Sequence, residues 1–262
     1  MQERHTNRSR YFEEQAQTTR KYYIPYINKY ISTAPTHVLE VGCGEGGNLL
    51  PFAMNGSKVV GVDYSVSRIE QAKQFFSERG QEGTFINSNI FAFKEYHHQF
   101  SLIIVHDVIE HIDDKKQFLS ELKDFLAPGG CIFIAFPAWQ MPFGGHQQIA
   151  NGKFISHLPF VHLLPKGLYP CVLKSFHESE GTIKELLSIK HSRCTIEHFR
   201  QLTAETKYKV INQQLFLINP NYETKFGLRP RRLNKCLSQI PYIRDFFSTS
   251  CFYLLQPETK II

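Results

Sequence analysis

Val38-Leu39-Glu40-Val41-Gly42-Cys43-Gly44-Glu45-Gly46-Gly47 decides how this chain folds. An apolar run leads into an acidic residue and then into closely spaced glycines, ahead of a helix-like segment. Such a run describes a buried parallel strand that turns sharply beneath a nucleotide-like ligand. Glycine tolerates positive φ and carries no Cβ to hold a ligand off the backbone. Gly42, Gly44 and Gly47 also satisfy the G-x-G-x-x-G spacing of dinucleotide folds, so this stretch alone leaves the cofactor open.

Around it, between residues 36 and 140, short apolar runs alternate with helix-period segments, the pattern of βαβ units and a parallel sheet. Strands are expected at 37–41, 58–62, 84–87, 100–106 and 130–136, with helices at 48–54, 66–78 and 115–126. In the last helix Phe118, Leu119, Leu122, Phe125 and Leu126 form one apolar stripe. Pro128-Gly129-Gly130 is expected to stop that helix and turn the chain into the fifth strand. Upstream, residues 11–31 carry a tyrosine-rich helical pattern, placed either over the cofactor end of the sheet or against its face.

After Trp139 the character changes. Residues 141–192 hold Pro142, Pro159, Pro165 and Pro170, many aromatics and no sustained period, which reads as a substrate cap. A helix near 195–204 and strands near 209–218 and 248–256 resume the pattern. A second excursion, 219–245, contains Arg229-Pro230-Arg231-Arg232. The expected fold class is α/β: a Rossmann-like, doubly wound, mostly parallel seven-stranded sheet with helices on both faces and a cap inserted after strand 5. Four parts follow: an N-terminal helical cap (1–34), a cofactor-binding core (35–140), the substrate cap (141–192) and a C-terminal part of the core with a basic loop (193–262).

Composition narrows the classes. The 262 residues can bury a large core, and ordinary hydrophobic and charged fractions argue against disorder. A formal charge of +6 falls short of the dense basic stripe of a dedicated nucleic-acid binder. Six scattered cysteines form no C-x-x-C pair, so a reduced chain without a zinc knuckle or disulfide framework is expected. Residues 1–20 lack an apolar signal core, and no apolar run reaches the roughly 18–20 residues that span a bilayer. These features point to the cytoplasm, with no transmembrane segment, and leave peripheral membrane contact open. Oligomeric state is not encoded.

The second expected strand runs into Gly61-Val62-Asp63-Tyr64-Ser65, where Asp63 can accept both ribose hydroxyls of a nicotinamide or an adenosyl cofactor. Two later segments discriminate. Residues 100–112 read Phe-Ser-Leu-Ile-Ile-Val-His-Asp-Val-Ile-Glu-His-Ile, a buried strand entering a polar segment. Leu126-Ala127-Pro128-Gly129-Gly130-Cys131-Ile132-Phe133-Ile134 follows. Together with Glu40-x-Gly42-x-Gly44-x-Gly46, the chain resembles the class I S-adenosylmethionine-dependent methyltransferases, nearest to the small-molecule branch that includes quinone-biosynthesis O-methyltransferases. The resemblance covers residues 35–140 and, more loosely, 195–256.

The resemblance implies S-adenosylmethionine as cofactor, S-adenosylhomocysteine as product and a small-molecule methyl acceptor. It assigns Glu40 to the loop and the methionine amino group, and Gly42, Cys43, Gly44 and Gly46 to the turn beneath the methionine moiety. Asp63 becomes the ribose acid and Tyr64 the adenine neighbour. Asn89 stands where the family commonly has an aspartate that accepts from the adenine amino group; its amide oxygen can still accept. Ile90 would pack on adenine, and His106 would face the sulfonium.

A hydroxyl acceptor must also lose its proton, to a positioned base or under the influence of a cation. The base candidates are His111, just after the fourth strand, and His146, in Pro142-Phe143-Gly144-Gly145-His146-Gln147 at the mouth of the cap. Asp107, Glu110 and His111 would share one helical turn as a metal-binding face, which His146 could complete. The same Glu-His pair serves elsewhere as a helix cap and packing contact, and on that reading no metal is expected. Phe143, Phe154, Phe160, Tyr169 and Phe176 are candidates for an apolar acceptor pocket or for the seal of the cap. The leading reading is methyl transfer to a hydroxyl or amine of a small molecule by in-line displacement. The alternatives are a metal-assisted RNA methyltransferase using Asp107, Glu110 and His111, a non-catalytic cofactor-binding scaffold and, last, a nicotinamide dehydrogenase.

Overall fold

A computed structural model describes residues 7–258; the first six and last four residues of the expected terminal parts lie outside it. Chain order begins with α1 (Arg8–Thr18), which continues through a π-helical turn, Thr19–Tyr23, into α2 (Ile24–Asn28). β1 (His37–Val41), α3 (Leu50–Met54), β2 (Lys58–Asp63), α4 (Val66–Glu78), β3 (Thr84–Asn87), β4 (Phe100–His106), α5 (Lys115–Phe125) and β5 (Leu126–Phe136) follow. The cap contributes α6 (Lys153–His157), α7 (Leu168–Ser175) and α8 (Glu180–Ser192). The chain then runs through α9 (Ile196–Glu205), β6 (Tyr208–Ile218), α10 (Asn221–Phe226), β7 (Arg231–Arg232), α11 (Lys235–Ser238), α12 (Ile243–Phe247) and β8 (Ser250–Pro257).

The sheet order is β3-β2-β1-β4-β5-β8-β6-β7. The first five strands pair in parallel, and β8 adds antiparallel to β5, with β6 and β7 continuing antiparallel. The order reverses at β1, between β2 and β4. In open α/β sheets a ligand crevice opens at the carboxyl ends of the strands at such a point. Eight strands replace the expected seven because two residues of the second excursion, Arg231 and Arg232, lie against Phe216 and Ile218.

Alternation along the strands builds two cores. Leu39, Val41, Val60, Val62, Ile103 and Val105 face α5 and α9, where Phe118, Leu122 and Phe199 are fully buried. Val38, Val59, Leu102, Ile104 and Phe133 face the other way, onto α1 and α4. The cap has a third cluster of its own, centred on Ile155, Tyr169, Leu173 and Leu186. The expected stop at Pro128 falls elsewhere. The helix ends at Phe125 and β5 starts at Leu126, while register jumps from Phe100↔Leu126 to Leu102↔Cys131. Pro128-Gly129-Gly130 therefore forms a bulge inside the strand, as residues without a usable donor or a Cβ permit.

Candidate active site

The turn after β1 is clipped to β2. The Gly42 and Cys43 amides donate to the Val62 carbonyl, at 2.8 and 3.1 Å. Gly42 has φ +69°, and a Cβ there would stand 2.4 Å from Val108 Cγ2. At Gly47 a Cβ would meet the Phe12 carbonyl at 2.5 Å, so α1 packs straight onto the loop. Asp63 holds the loop from the neighbouring strand. One carboxylate oxygen accepts from the Gly44 amide at 2.9 Å and the other from the Ser65 amide at 2.8 Å. Each oxygen keeps a lone pair for a further donor.

A cavity of about 700 Å3 opens above this turn, at the switch point. Gly42, Asp63, Tyr64, Asn89, Ile90, His111 and His146 all line it, so glycine loop, ribose acid and both candidate bases meet in one space. Tyr64 is a rim residue, 82 % exposed, whereas Ile90 is buried. Asn89 Oδ1 already accepts from the Phe91 amide at 3.1 Å and has one further lone pair to offer.

Three expected contacts lie beneath or beside the cavity. Cys43 is buried, with Sγ 2.7 Å from where a Gly61 Cβ would be, and serves as packing under the loop. Glu40 is buried and accepts from Asn48 Nδ2 at 2.7 Å; Asn48 in turn accepts from Thr19 in the N-terminal segment. The second Glu40 oxygen is buried without a hydrogen-bond partner among the described residues, and burial raises the carboxyl to about 8. A buried acceptor with that proton affinity, below a glycine turn, suits a cationic ligand group. His106 does not line the cavity, which corrects its placement beside the sulfonium. Its ring lies 5.5 Å from Tyr23, and Asn221 Nδ2 donates to Nε2 at 3.2 Å. Burial lowers its pKa and keeps the imidazole neutral, able to accept that bond. Asp107, with φ +53°, takes the wall position instead.

The polar segment after β4 also departs from expectation. It is a single 3-10 turn, Ile109–His111, so Asp107, Glu110 and His111 do not share an α-helical face. The cluster that does form is Glu110, His111 and His146, whose ligand atoms lie within 4.8 Å of one another. The two imidazole rings meet edge to face, 5.1 Å apart, and His146 Nε2 lies 3.8 Å from Glu110 Oε1. Both Glu110 oxygens are buried with no hydrogen-bond partner among the described residues, so the expected capping bond is not made. Burial drives the Glu110 carboxyl well above the usual carboxylate range, with Asp107 adding to the effect. Desolvation by the surrounding protein likewise lowers His111 below the usual imidazole value, although the residue keeps exposed surface at the cavity wall. His146 reaches the cluster from the cap entrance through a left-handed backbone, φ +55°.

Sequence reading missed Arg8, Arg68, Ser188 and Lys225, which also line the cavity. Arg8 pairs with the buried Glu45 at 3.1 Å, and Arg68 approaches it at 4.0 Å. No local pattern marks these residues, since they come from α1, α4, α8 and α10.

With this geometry in hand, the chain is a class I S-adenosylmethionine-dependent methyltransferase: residues 38–130 match the model of a methyltransferase domain. It is similar to ubiquinone biosynthesis O-methyltransferases. The protein of Coxiella burnetii (strain Dugway 5J108-111) is 27 % identical over 170 residues, covering 60 % of this chain and 68 % of the relative. That of Brucella anthropi is 32 % identical over 98 residues, covering 37 % and 40 %. Among solved structures, the plantazolicin methyltransferase BpumL in complex with S-adenosylhomocysteine aligns with a TM-score of 0.55 at 15 % identity, over 95 % of this chain and 84 % of that one. At that identity the likeness is one of fold. The scaffold and dehydrogenase alternatives fall away with the family.

Proposed function

We propose that this enzyme methylates a hydroxyl of a small molecule, with the cofactor over the glycine turn and the acceptor held between that turn and the cap. The observation that carries the reading is the shared cavity: Gly42 and Asp63 at one end, His111 and His146 at the other. The bound sulfonium supplies an electrophilic methyl carbon. Asp63 orients the ribose through its remaining lone pairs, and Glu40 receives the amino group. Asn89 and Ile90 hold the adenine, with Tyr64 closing the rim. His146, on the cap entrance, takes the acceptor proton, and His111 is held neutral by desolvation and orients it. Positioning of acceptor and methyl in line supplies the larger part of the rate, up to roughly 7–11 kcal/mol.

One observation favours a second element at the same place. A buried carboxylate without a hydrogen-bond donor, facing two imidazoles, has the chemistry of a cation site built from two histidines and one carboxylate. Glu110, His111 and His146 would hold a divalent cation there, and its charge would lower the pKa of an acceptor hydroxyl. The similarity to ubiquinone biosynthesis O-methyltransferases supports a phenolic or catechol-like acceptor.

The test is methyl transfer from labelled S-adenosylmethionine to a panel of catechols, alongside calorimetry with S-adenosylhomocysteine. His146→Ala should leave cofactor affinity within about twofold and depress turnover by roughly 100-fold or more. Equal turnover would remove His146 from the chemistry. Metal analysis of the purified protein, with activity measured before and after chelation, separates the two versions of proton removal.

A further inference from the structure

Trp139 and His162 are buried side chains that the methyl-transfer reading leaves unused, and the chain between them carries His146 to the cavity wall. Trp139 is anchored to the core side, its amide donating to the Cys194 carbonyl at 3.0 Å. His162 is fully buried, with Nε2 2.7 Å from the Trp139 carbonyl oxygen and its ring edge to face with the indole at 4.7 Å. A carbonyl only accepts, so Nε2 carries the proton and Nδ1 the lone pair. That Nδ1 is buried without a hydrogen-bond partner among the described residues. Burial pushes the imidazole down to about 4, with the Trp139 bond opposing and Lys190 adding, so the ring stays neutral. An apolar side chain would avoid the cost of the orphaned nitrogen, but it would bring no N–H for Trp139.

The loop that bears His146 is wedged against both ends of this bond. A Cβ on Gly144 would stand 2.2 Å from the Trp139 carbonyl oxygen, and one on Gly145 would stand 2.1 Å from His162 Cβ. Neither glycine has a positive φ, so both are present for space rather than for a turn. The next residue is His146. Further bonds fix the same junction. The Phe160 amide donates to the Pro142 carbonyl at 2.7 Å, and Gln147 Nε2 donates to the carbonyls of Pro142 and Leu158 at 3.0 and 3.1 Å. Lys190 Nζ donates to the carbonyls of His162 and Leu164 at 2.5 and 2.7 Å, which ties the wedge to α8.

We propose, on the reading of His146 as the group that takes the acceptor proton, that His162 is a positioning residue. Its bond to the Trp139 carbonyl and its contact with Gly145 set the path of the Gly144-Gly145 backbone, and so the place of the His146 ring in the cavity. His162 itself does not line the cavity and touches no reacting atom.

Two substitutions separate the bond from the packing: His162→Phe keeps a ring and removes the N–H, whereas His162→Gln keeps a donor. In methyl transfer by the full chain, His162→Phe should lower kcat roughly 100-fold, the cost of misplacing a catalytic group by about 1 Å, and leave KM and S-adenosylhomocysteine affinity within about twofold. His162→Gln should recover most of that loss. In a His146→Ala background, His162→Phe should lower kcat no further, because it acts through His146. Gly145→Ala presses on the same junction from the other side and should reproduce the kcat loss if His162→Phe does not fold. Histidine-selective NMR reads the placement directly. The imidazole signals that vanish in His146→Ala should shift in His162→Phe and return in His162→Gln. A shift combined with full turnover in His146→Ala would uphold the placement and remove the proton-acceptor role from His146. Unmoved His146 signals, or a kcat loss that adds in full to that of His146→Ala, would overturn the proposal. So would unchanged kcat in His162→Phe where His146→Ala is inactive.

Discussion

Glu40→Gln separates the electrostatics of the cofactor floor from its shape. Glu40 is 1 % exposed on β1, with one oxygen accepting from Asn48 and the other buried without a partner among the described residues. Burial lifts its carboxyl from 4.5 to about 8; the Asn48 bond opposes the rise, while Asp63 and Glu45 add to it. A group whose folded pKa lies above its unfolded value contributes stability at low pH and loses it as pH rises through the folded value. The window here runs from about 4.5 to about 8. At about 1.36 kcal/mol per pH unit that interval sets a ceiling of about 5 kcal/mol, and local relaxation reduces it to the order of 2–3 kcal/mol. For a chain of this size the loss corresponds to a fall in Tm of about 5–10 °C between about pH 5 and pH 9. Glutamine keeps the acceptor for Asn48 and cannot ionise, so the variant should lack this component. The assay is a melting series across that range on ligand-free protein, read as wild type minus variant so that other titrations cancel. S-adenosylhomocysteine should restore wild-type stability at high pH, because its ammonium offsets the carboxylate. The variant should bind it roughly tenfold more weakly or worse, given roughly 1.5–3 kcal/mol for a charge-assisted bond. Parallel melting profiles together with equal affinity would refute the assignment of Glu40.

Three further outcomes are expected. Asp63→Ala removes the acceptor of the Gly44 and Ser65 amides as well as the ribose partner, and should weaken S-adenosylhomocysteine binding by about 2–4 kcal/mol in calorimetry. Gly42→Ala forces a side chain into φ +69° and against Val108 Cγ2, and should lower Tm by about 5 °C or more and abolish cofactor binding. The pH–rate profile should rise as His111 loses its proton and then level off. Because desolvation lowers His111, its limb should lie below the usual imidazole value, near 6.5, with activity lost as pH falls through it.

Local pattern was enough for β1 to β5 and the helices between them, because each must bury a regular face and hydrophobic period records that need. It was also enough to place Gly42 in the turn and Asp63 at the end of β2, since only certain residues fit a tight turn and a strand-end carboxylate. Residue types alone did not reveal that His106 faces Asn221 and Tyr23 while Asp107 faces the cavity. One left-handed residue at the end of β4 makes that exchange, and backbone conformation at a single site leaves no periodic trace.

The same limit governs the catalytic end. Glu110 and His111 stood adjacent in sequence and His146 was expected to be able to complete their group, but the cluster that forms leaves Asp107 out. What the chain determined by itself was the positions of the parallel strands, the helices between them and the glycine turn, all of which leave a local residue pattern. Only the tertiary structure decided which polar groups from α1, α8, α10 and the cap loop converge on that turn. Convergence of distant segments depends on how whole elements pack, and no local spacing encodes it.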